Sequence, residues 1–189
     1  MQNKNKLLEN KIKYKKIDEY VQSAKDNYAA VAALFIEDSE ILFIKRSENM
    51  PTHKGHIAFP GGKKEDSDKN IISTAIREVT EELLISDDLI APFGYINSVD
   101  TVEYKFEVFP ILCHLDRKPK KFNKDEVQKV LYATIDSLGS KDNWYYRGLY
   151  PNDWIYEFDN EILWGATAKM IRNILDLKLD PNSDSVLHP

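Results

Sequence analysis

The stretch FPGGKKEDSDKNIISTAIREVTEELLI, residues 59–85, decides how this chain is read. A Pro-Gly-Gly turn opens it and an unbroken run without Gly or Pro follows, so it predicts a loop feeding a helix from Ser67 or Asp68 to about Leu84. Ile72, Ile76, Val79 and Leu83 recur at helical spacing and predict the buried stripe. Glu78, Glu81 and Glu82 stand at i, i+3 and i+4. At about 100° per residue they share an arc well off that stripe, which predicts three carboxylates converging on an exposed face. Like charges so spaced repel by a few tenths of a kcal/mol per pair, roughly, so the cluster works against the helix unless a cation sits among them. A hard divalent ion supplies that compensation, favours oxygen ligands and is commonly completed by phosphate oxygens. Standing alone, three glutamates describe an ordinary acidic helix surface.

Outward from this stretch, YAAVAALFI (residues 28–36) and ILFIKR (residues 41–46) are apolar runs separated by a short acidic turn, the pattern of a hairpin. VEYKFEVFPIL, with Tyr104, Phe106 and Val108 alternating against Lys105 and Glu107, predicts a strand, and VQKVLYATI predicts another strand or a short turn-linked pair. GATAKMIRNILDLKL predicts a second core helix, ending before Pro181. Residues 4–25, lysine-rich with Leu7, Leu8, Ile12, Ile17, Tyr20 and Val21 at roughly helical intervals, predict an additional amphipathic helix. The expected organisation is an N-terminal helical extension over residues 1–27 and one α/β domain over 28–189.

With 189 residues and 42% apolar composition, one sizeable core is affordable and two full domains are not expected. A net charge of −5 argues against a nucleic-acid binder, and the longest apolar run is too short to span a membrane. The lone Cys113 excludes an intrachain disulfide, and the lysine-rich N-terminus has no apolar signal region; a reduced, cytoplasmic setting is the expectation. Cys113 itself, in an apolar strand, reads as core. His53 and His56, with no cysteine or third histidine nearby, make poor soft-metal ligands.

The residues around the helix resemble the signature of the Nudix hydrolases, G-x5-E-x7-R-E-U-x-E-E-x-G-U, with R-E-V-T-E-E matching position by position. The spacing from Gly62 to Arg77 is one residue longer than the general pattern, and Leu84 stands where the family usually has glycine. The longer loop is similar to that of the coenzyme A pyrophosphatase branch. LFIKRSENMPTHKGHIAFPGGKKE, residues 42–65, reproduces that branch's Leu42, Arg46, Ser47, Gly55, Phe59, Pro60, Gly61, Gly62 and acidic Glu65. Ile44 replaces its threonine and Pro51 its arginine.

The resemblance implies a Nudix fold, a mixed β-sheet sandwiched between α-helices, with the N-terminal helix as an addition. It implies Mg²⁺- or Mn²⁺-dependent hydrolysis of a diphosphate, with coenzyme A or a derivative as substrate, giving 4′-phosphopantetheine and adenosine 3′,5′-bisphosphate. Another nucleoside diphosphate derivative such as ADP-ribose is the alternative, and a non-catalytic nucleotide-binding module a further one. Glu78, Glu81 and Glu82 become the metal ligands; Glu78 also becomes an acceptor for the proton of attacking water, oriented by Arg77. Glu126, in the polar loop KDEVQKV, is a candidate general base or extra ligand. Arg46, His53, Lys54, Gly61 and Gly62 are the candidate substrate contacts. Asp68 falls on the signature's first acidic position and Glu65 on that of the branch; either could close the loop onto the helix, and for Asp68 a helix-capping role competes with direct chemistry. Eight of the 21 aromatic residues lie between Trp144 and Trp164, either a stacking surface for adenine or a core or dimer surface. A homodimer is the base-rate expectation.

Overall fold

In a computed structural model, which describes residues 8, 10–17, 27–100 and 107–182, the chain forms strands and helices in the following order. β1 (Lys15–Lys16), β2 (Tyr28–Ile36), β3 (Glu40–Arg46), β4 (Ile57–Ala58) and β5 (Gly61–Lys63) precede the helix α1 (Ile71–Leu83). Then come β6 (Ile90–Tyr95), β7 (Val99–Asp100), β8 (Glu107–Leu115), β9 (Val127–Thr134) and the short helix α2 (Ile135–Gly139). β10 (Trp144–Tyr146), β11 (Trp154–Phe158), β12 (Glu161–Leu163) and the helix α3 (Gly165–Ile174) complete it.

Among the described residues β1, β6, β8, β2, β3 and β4 are successive neighbours in one mixed sheet, with β5 beside β2, β7 beside β8 and β9 beside β3. β2 and β8 run parallel, from Tyr28 opposite Glu107 to Phe35 opposite His114. A parallel pair needs a long crossover, and the connection here carries α1. The expected hairpin is β2–β3, antiparallel from Leu34 opposite Leu42. The segment between β3 and α1 contains two further strands, β4 pairing β3 and β5 pairing β2.

Alternation along β2 sets the layers. Ala30, Ala32, Leu34 and Ile36 share a buried cluster with Ile71, Ala75, Val79 and Leu83 of α1, whereas Ala33 and Phe35 share the other with Trp144, Trp154, Ile171 and Ile174. The sheet is thus covered by α1 on one face and by α3 with the antiparallel β10–β11–β12 sheet on the other. Each large aliphatic side chain so buried contributes roughly 2 kcal/mol. The aromatic cluster of residues 144–164 is mostly core: Trp144, Trp154 and Tyr156 are buried. Cys113 is buried as well, and burial pushes its thiol up to about 12, which leaves it unreactive.

Most of the N-terminal helix expected over residues 4–25 lies outside the described residues. Where the segment is described, Leu8 is helical, but residues 10–16 form a turn and β1, which pairs Lys15 with Tyr95 and Lys16 with Gly94. Leu8 and Ile12 are buried in the α3-side core. Among the described residues no helix is long and apolar enough to cross a membrane.

α1 starts later than expected. Asn70 is its N-cap: Ser73 N donates to Asn70 Oδ1 at 2.9 Å and Asn70 N donates to Ser73 Oγ at 2.9 Å, a reciprocal capping box. Asp68 is engaged elsewhere, as shown below. At the other end Leu84 takes the left-handed conformation, φ 50° and ψ 45°, with its side chain 57% exposed. A β-carbon is strained there and the side chain buries little in return, so Leu84→Gly should stabilise the protein by about 0.5–1 kcal/mol, read as a raised midpoint in urea unfolding.

Candidate active site

α1 carries the carboxylates and β5 carries the glycines they meet. The three glutamates are not equally exposed, which corrects the expectation of one exposed face: the side chain of Glu82 is 1% exposed, that of Glu78 13% and that of Glu81 50%. The buried residues of α1 are Ile71, Thr74, Ala75, Val79, Glu82 and Leu83, while Ile72 and Ile76 are only partly buried. Glu82 therefore lies within the buried arc and Glu78 on its edge.

Gly61 N donates to Glu82 Oε2 at 3.0 Å, and Arg46 Nη1, at the end of β3, lies 3.8 Å from Glu82 Oε1. Arg46 Nε is buried without a hydrogen-bond partner among the described residues. Burial pushes the Glu82 carboxyl up to about 8, with the nearby Glu78 charge adding to the rise and Arg46 and Gly61 N opposing it. Glu78 is likewise raised by burial, against the pull of Arg77.

Arg77 organises the rest. Its Nε and Nη2 hold Asp68 Oδ1 and Oδ2 at 3.0 and 3.1 Å, its Nη2 donates to the Lys63 carbonyl at 2.9 Å and sits 3.0 Å from Glu78 Oε1, and its Nη1 reaches Glu81 Oε2 at 2.9 Å. Burial works to raise the Asp68 carboxyl, yet the hydrogen bonds from Arg77 and the Glu65 N–H outweigh it and hold it below the usual range. Asp68, whose capping role is thereby corrected, is the buried anchor of the arginine. One guanidinium thus clamps the β5 end, the loop and two glutamates.

Both glycines are places where a side chain has no room. A Cβ on Gly61 would lie 2.4 Å from the Ala30 carbonyl oxygen and 2.6 Å from Val31 Cα, backbone that cannot give way. A Cβ on Gly62 would lie 2.3 Å from Glu78 Oε1, the mobile tip of a side chain. Gly62→Ala should therefore fold with little loss of stability while displacing the Glu78 carboxylate by about 1 Å, lowering turnover by on the order of 100-fold. Paired thermal melts and kinetics check this; a wild-type rate would mean that Glu78 need not occupy this position.

Glu126 joins the cluster from the loop before β9. Its carbonyl accepts from Ser47 N at 2.8 Å, its Oε1 accepts from Asn123 Nδ2 at 3.0 Å, and Asn123 N in turn donates to the Glu82 carbonyl at 2.8 Å. Its charge adds to the upward push on both Glu78 and Glu82. The Asn123 tether was not assigned from sequence, whereas closing the loop onto the helix was one of the readings open for Asp68, and its bonds to Arg77 do so. His53 and Lys54 sit on the turn between β3 and β4. His53 has a φ of 53° and its ring centre lies 5.3 Å from that of His56, and Lys54 is exposed.

Among the described residues no three His, Cys, Asp or Glu side chains converge as a ready-made metal site. The donor chemistry nonetheless fits a hard cation. Glu78 and Glu82 are buried carboxylates held above their normal range by burial and by one another; Arg77 draws Glu78 and Glu81 sideways, and Arg46 at 3.8 Å only partly offsets the charge of Glu82.

Residues 26–152, about two thirds of the chain, match the NUDIX domain. The chain is 29% identical over 140 residues to the Nudix hydrolase NudL of Shigella boydii and, equally, to that of Cronobacter sakazakii, covering 71% of this chain and 72% of each relative. In fold it is similar to DR0079 from Deinococcus radiodurans, with a TM-score of 0.52 at 16% identity over 84% of this chain and 88% of that one. With the signature helix, its glycine turn and the mixed sheet in place, and with the domain matched over most of its length, this chain belongs to the Nudix family.

Proposed function

We propose that the protein is a Mg²⁺- or Mn²⁺-dependent hydrolase of a nucleotide-containing diphosphate, with coenzyme A or a derivative as substrate. The observation that carries this reading is the approach of Glu82 to Gly61 and of Glu78 to Gly62, both carboxyls raised and both within reach of the Glu126 charge. Residues 28–189 would form the catalytic unit and 1–27 its extension.

Glu78, Glu81 and Glu82 would hold the ion; for Glu81 this means releasing Arg77. A divalent ion bound there neutralises charge developing on phosphoryl oxygens and lowers the pKa of water. Arg77, anchored on Asp68, keeps Glu78 oriented. Glu78 or Glu126 accepts the proton of the attacking water as its oxygen bonds to one phosphorus and the bridging P–O bond breaks, the leaving phosphate taking the electron pair. Arg46, whose guanidinium lies beside Glu82, would bring positive charge to a phosphate held at the site. The backbone of Gly61 and Gly62 allows close approach.

The coenzyme A assignment rests on the motif over residues 42–65. Pro51, in place of that branch's arginine, favours the second reading, another nucleoside diphosphate derivative such as ADP-ribose. A panel of coenzyme A, ADP-ribose and a dinucleoside polyphosphate, with products resolved by mass, separates them. Fastest release of 4′-phosphopantetheine from coenzyme A is expected; preference for another member keeps the chemistry and discards the branch.

A further inference from the structure

A cavity of about 500 Å³ opens between β1, the end of β6 and the C-terminal end of α3, and its walls are cationic. Among the described residues Lys13, Lys15, Arg172 and Lys178 line it against a single carboxylate, Asp176, which is paired with Lys13. Lys15 Nζ donates to Asn97 Oδ1 at 2.8 Å, a neutral partner. Among the described residues neither Arg172 nor Lys178 forms an ion pair, although Lys178 lies near enough to Asp176 to help Lys13 hold that carboxyl below its usual range. Among the described residues Arg172 Nη2 donates to the Asn152 carbonyl at 3.2 Å, and its Nε is buried with no acceptor. Burial also lowers the Arg172 guanidinium from its usual range, the mark of a cation that has lost water without gaining an anion.

The cavity is remote from the carboxylates. Gly61 pairs with Val31, Val31 with Pro110, and Ile96, which lines the cavity, donates its N–H to the Pro110 carbonyl at 3.2 Å. Three strand spacings separate Gly61 from Ile96, about 14 Å along the sheet.

We propose that this cavity is a second binding site, one that takes a phosphate monoester. A compact dianion with several acceptor oxygens matches a wall of three lysines and an arginine set against one carboxylate, and the volume suits a nucleotide-sized ligand. The phosphate has two sources: a monoester carried by the substrate away from its scissile diphosphate, such as the 3′-phosphate of coenzyme A, or a separate phosphorylated ligand. Only the first source rests on the coenzyme A reading.

Calorimetric titration with adenosine 3′,5′-bisphosphate and with adenosine, in chelator so that no turnover occurs, tests the site itself. The bisphosphate should bind, adenosine should not, and Arg172→Gln and Lys178→Gln should each weaken binding by about five- to tenfold. Lys178 is exposed, so its variant keeps the test valid even if Arg172→Gln folds poorly. Binding unchanged in a folded Lys178→Gln and Arg172→Gln, or no binding by the wild type, overturns the proposal. Kinetics of coenzyme A and its 3′-dephospho form then assign the source. A KM raised by the substitutions for coenzyme A alone identifies the substrate's own phosphate; KM values unchanged for both, with bisphosphate binding lost, identify a separate ligand.

Discussion

Glu78→Gln is expected to lower kcat for diphosphate hydrolysis by about a thousandfold while leaving the fold intact. The amide is isosteric and can still accept a hydrogen bond from Arg77 Nη2, so the clamp between Asp68, Arg77 and the helix survives. What is lost is the negative charge and the ability to take a proton. Because burial already raises the Glu78 carboxyl, a neutral amide there costs nothing in stability and relieves repulsion on Glu82. Thermal melts should therefore show a Tm equal to or slightly above the wild type. A variant within a few-fold of wild-type activity would remove Glu78 from the chemistry.

Glu82 governs the second large effect. In metal-free protein its carboxyl titrates at about 8 in the folded state against 4.5 for the ordinary group. A proton held more tightly by the folded chain means that stability is full below the unfolded value and is lost as pH rises through the folded one. Glu82→Gln, neutral throughout, should match the wild type near pH 4 and exceed it above about pH 8, by roughly 2–4 kcal/mol. Saturating Mg²⁺ should restore the wild type at high pH and barely change the variant, since the ion stabilises only the form that binds it. Urea unfolding across this pH range, with chelator and with metal, measures both. Parallel pH curves for the two proteins would contradict a buried, uncompensated carboxyl.

Much of this was legible in the chain because local chemistry wrote it there. β2 and β3 are short continuous apolar runs joined by an acidic turn, the pattern of paired buried strands, and Arg77, Glu78, Glu81 and Glu82 keep a spacing that a helix brings together. What the spacing misjudged was rotation. Taking Ile72 and Ile76 as the stripe turned α1 by about 70°, since the buried arc is centred near Ala75, Val79 and Glu82. Isoleucine and glutamate were assigned by hydrophobicity alone, whereas Glu82 is buried because Gly61 N–H and Arg46 meet it there. That partnership crosses between elements and leaves no local trace. The same holds for Asp68, which could cap the helix on sequence grounds and does not because Arg77, nine residues on, holds both its oxygens. Glu126 was found by its family position, but its tether through Asn123 to the end of α1 exists only once the loop is folded back.

The central claim is that this carboxylate cluster hydrolyses a nucleotide diphosphate with a divalent ion. The most direct measurement is product formation from coenzyme A, ADP-ribose and a dinucleoside polyphosphate by the folded wild type, in Mg²⁺ or Mn²⁺ and in chelator, beside Glu78→Gln. Turnover of at least one diphosphate that requires the metal and falls with Glu78 is the predicted result. Turnover that persists in chelator, or that is indifferent to Glu78, would contradict the account.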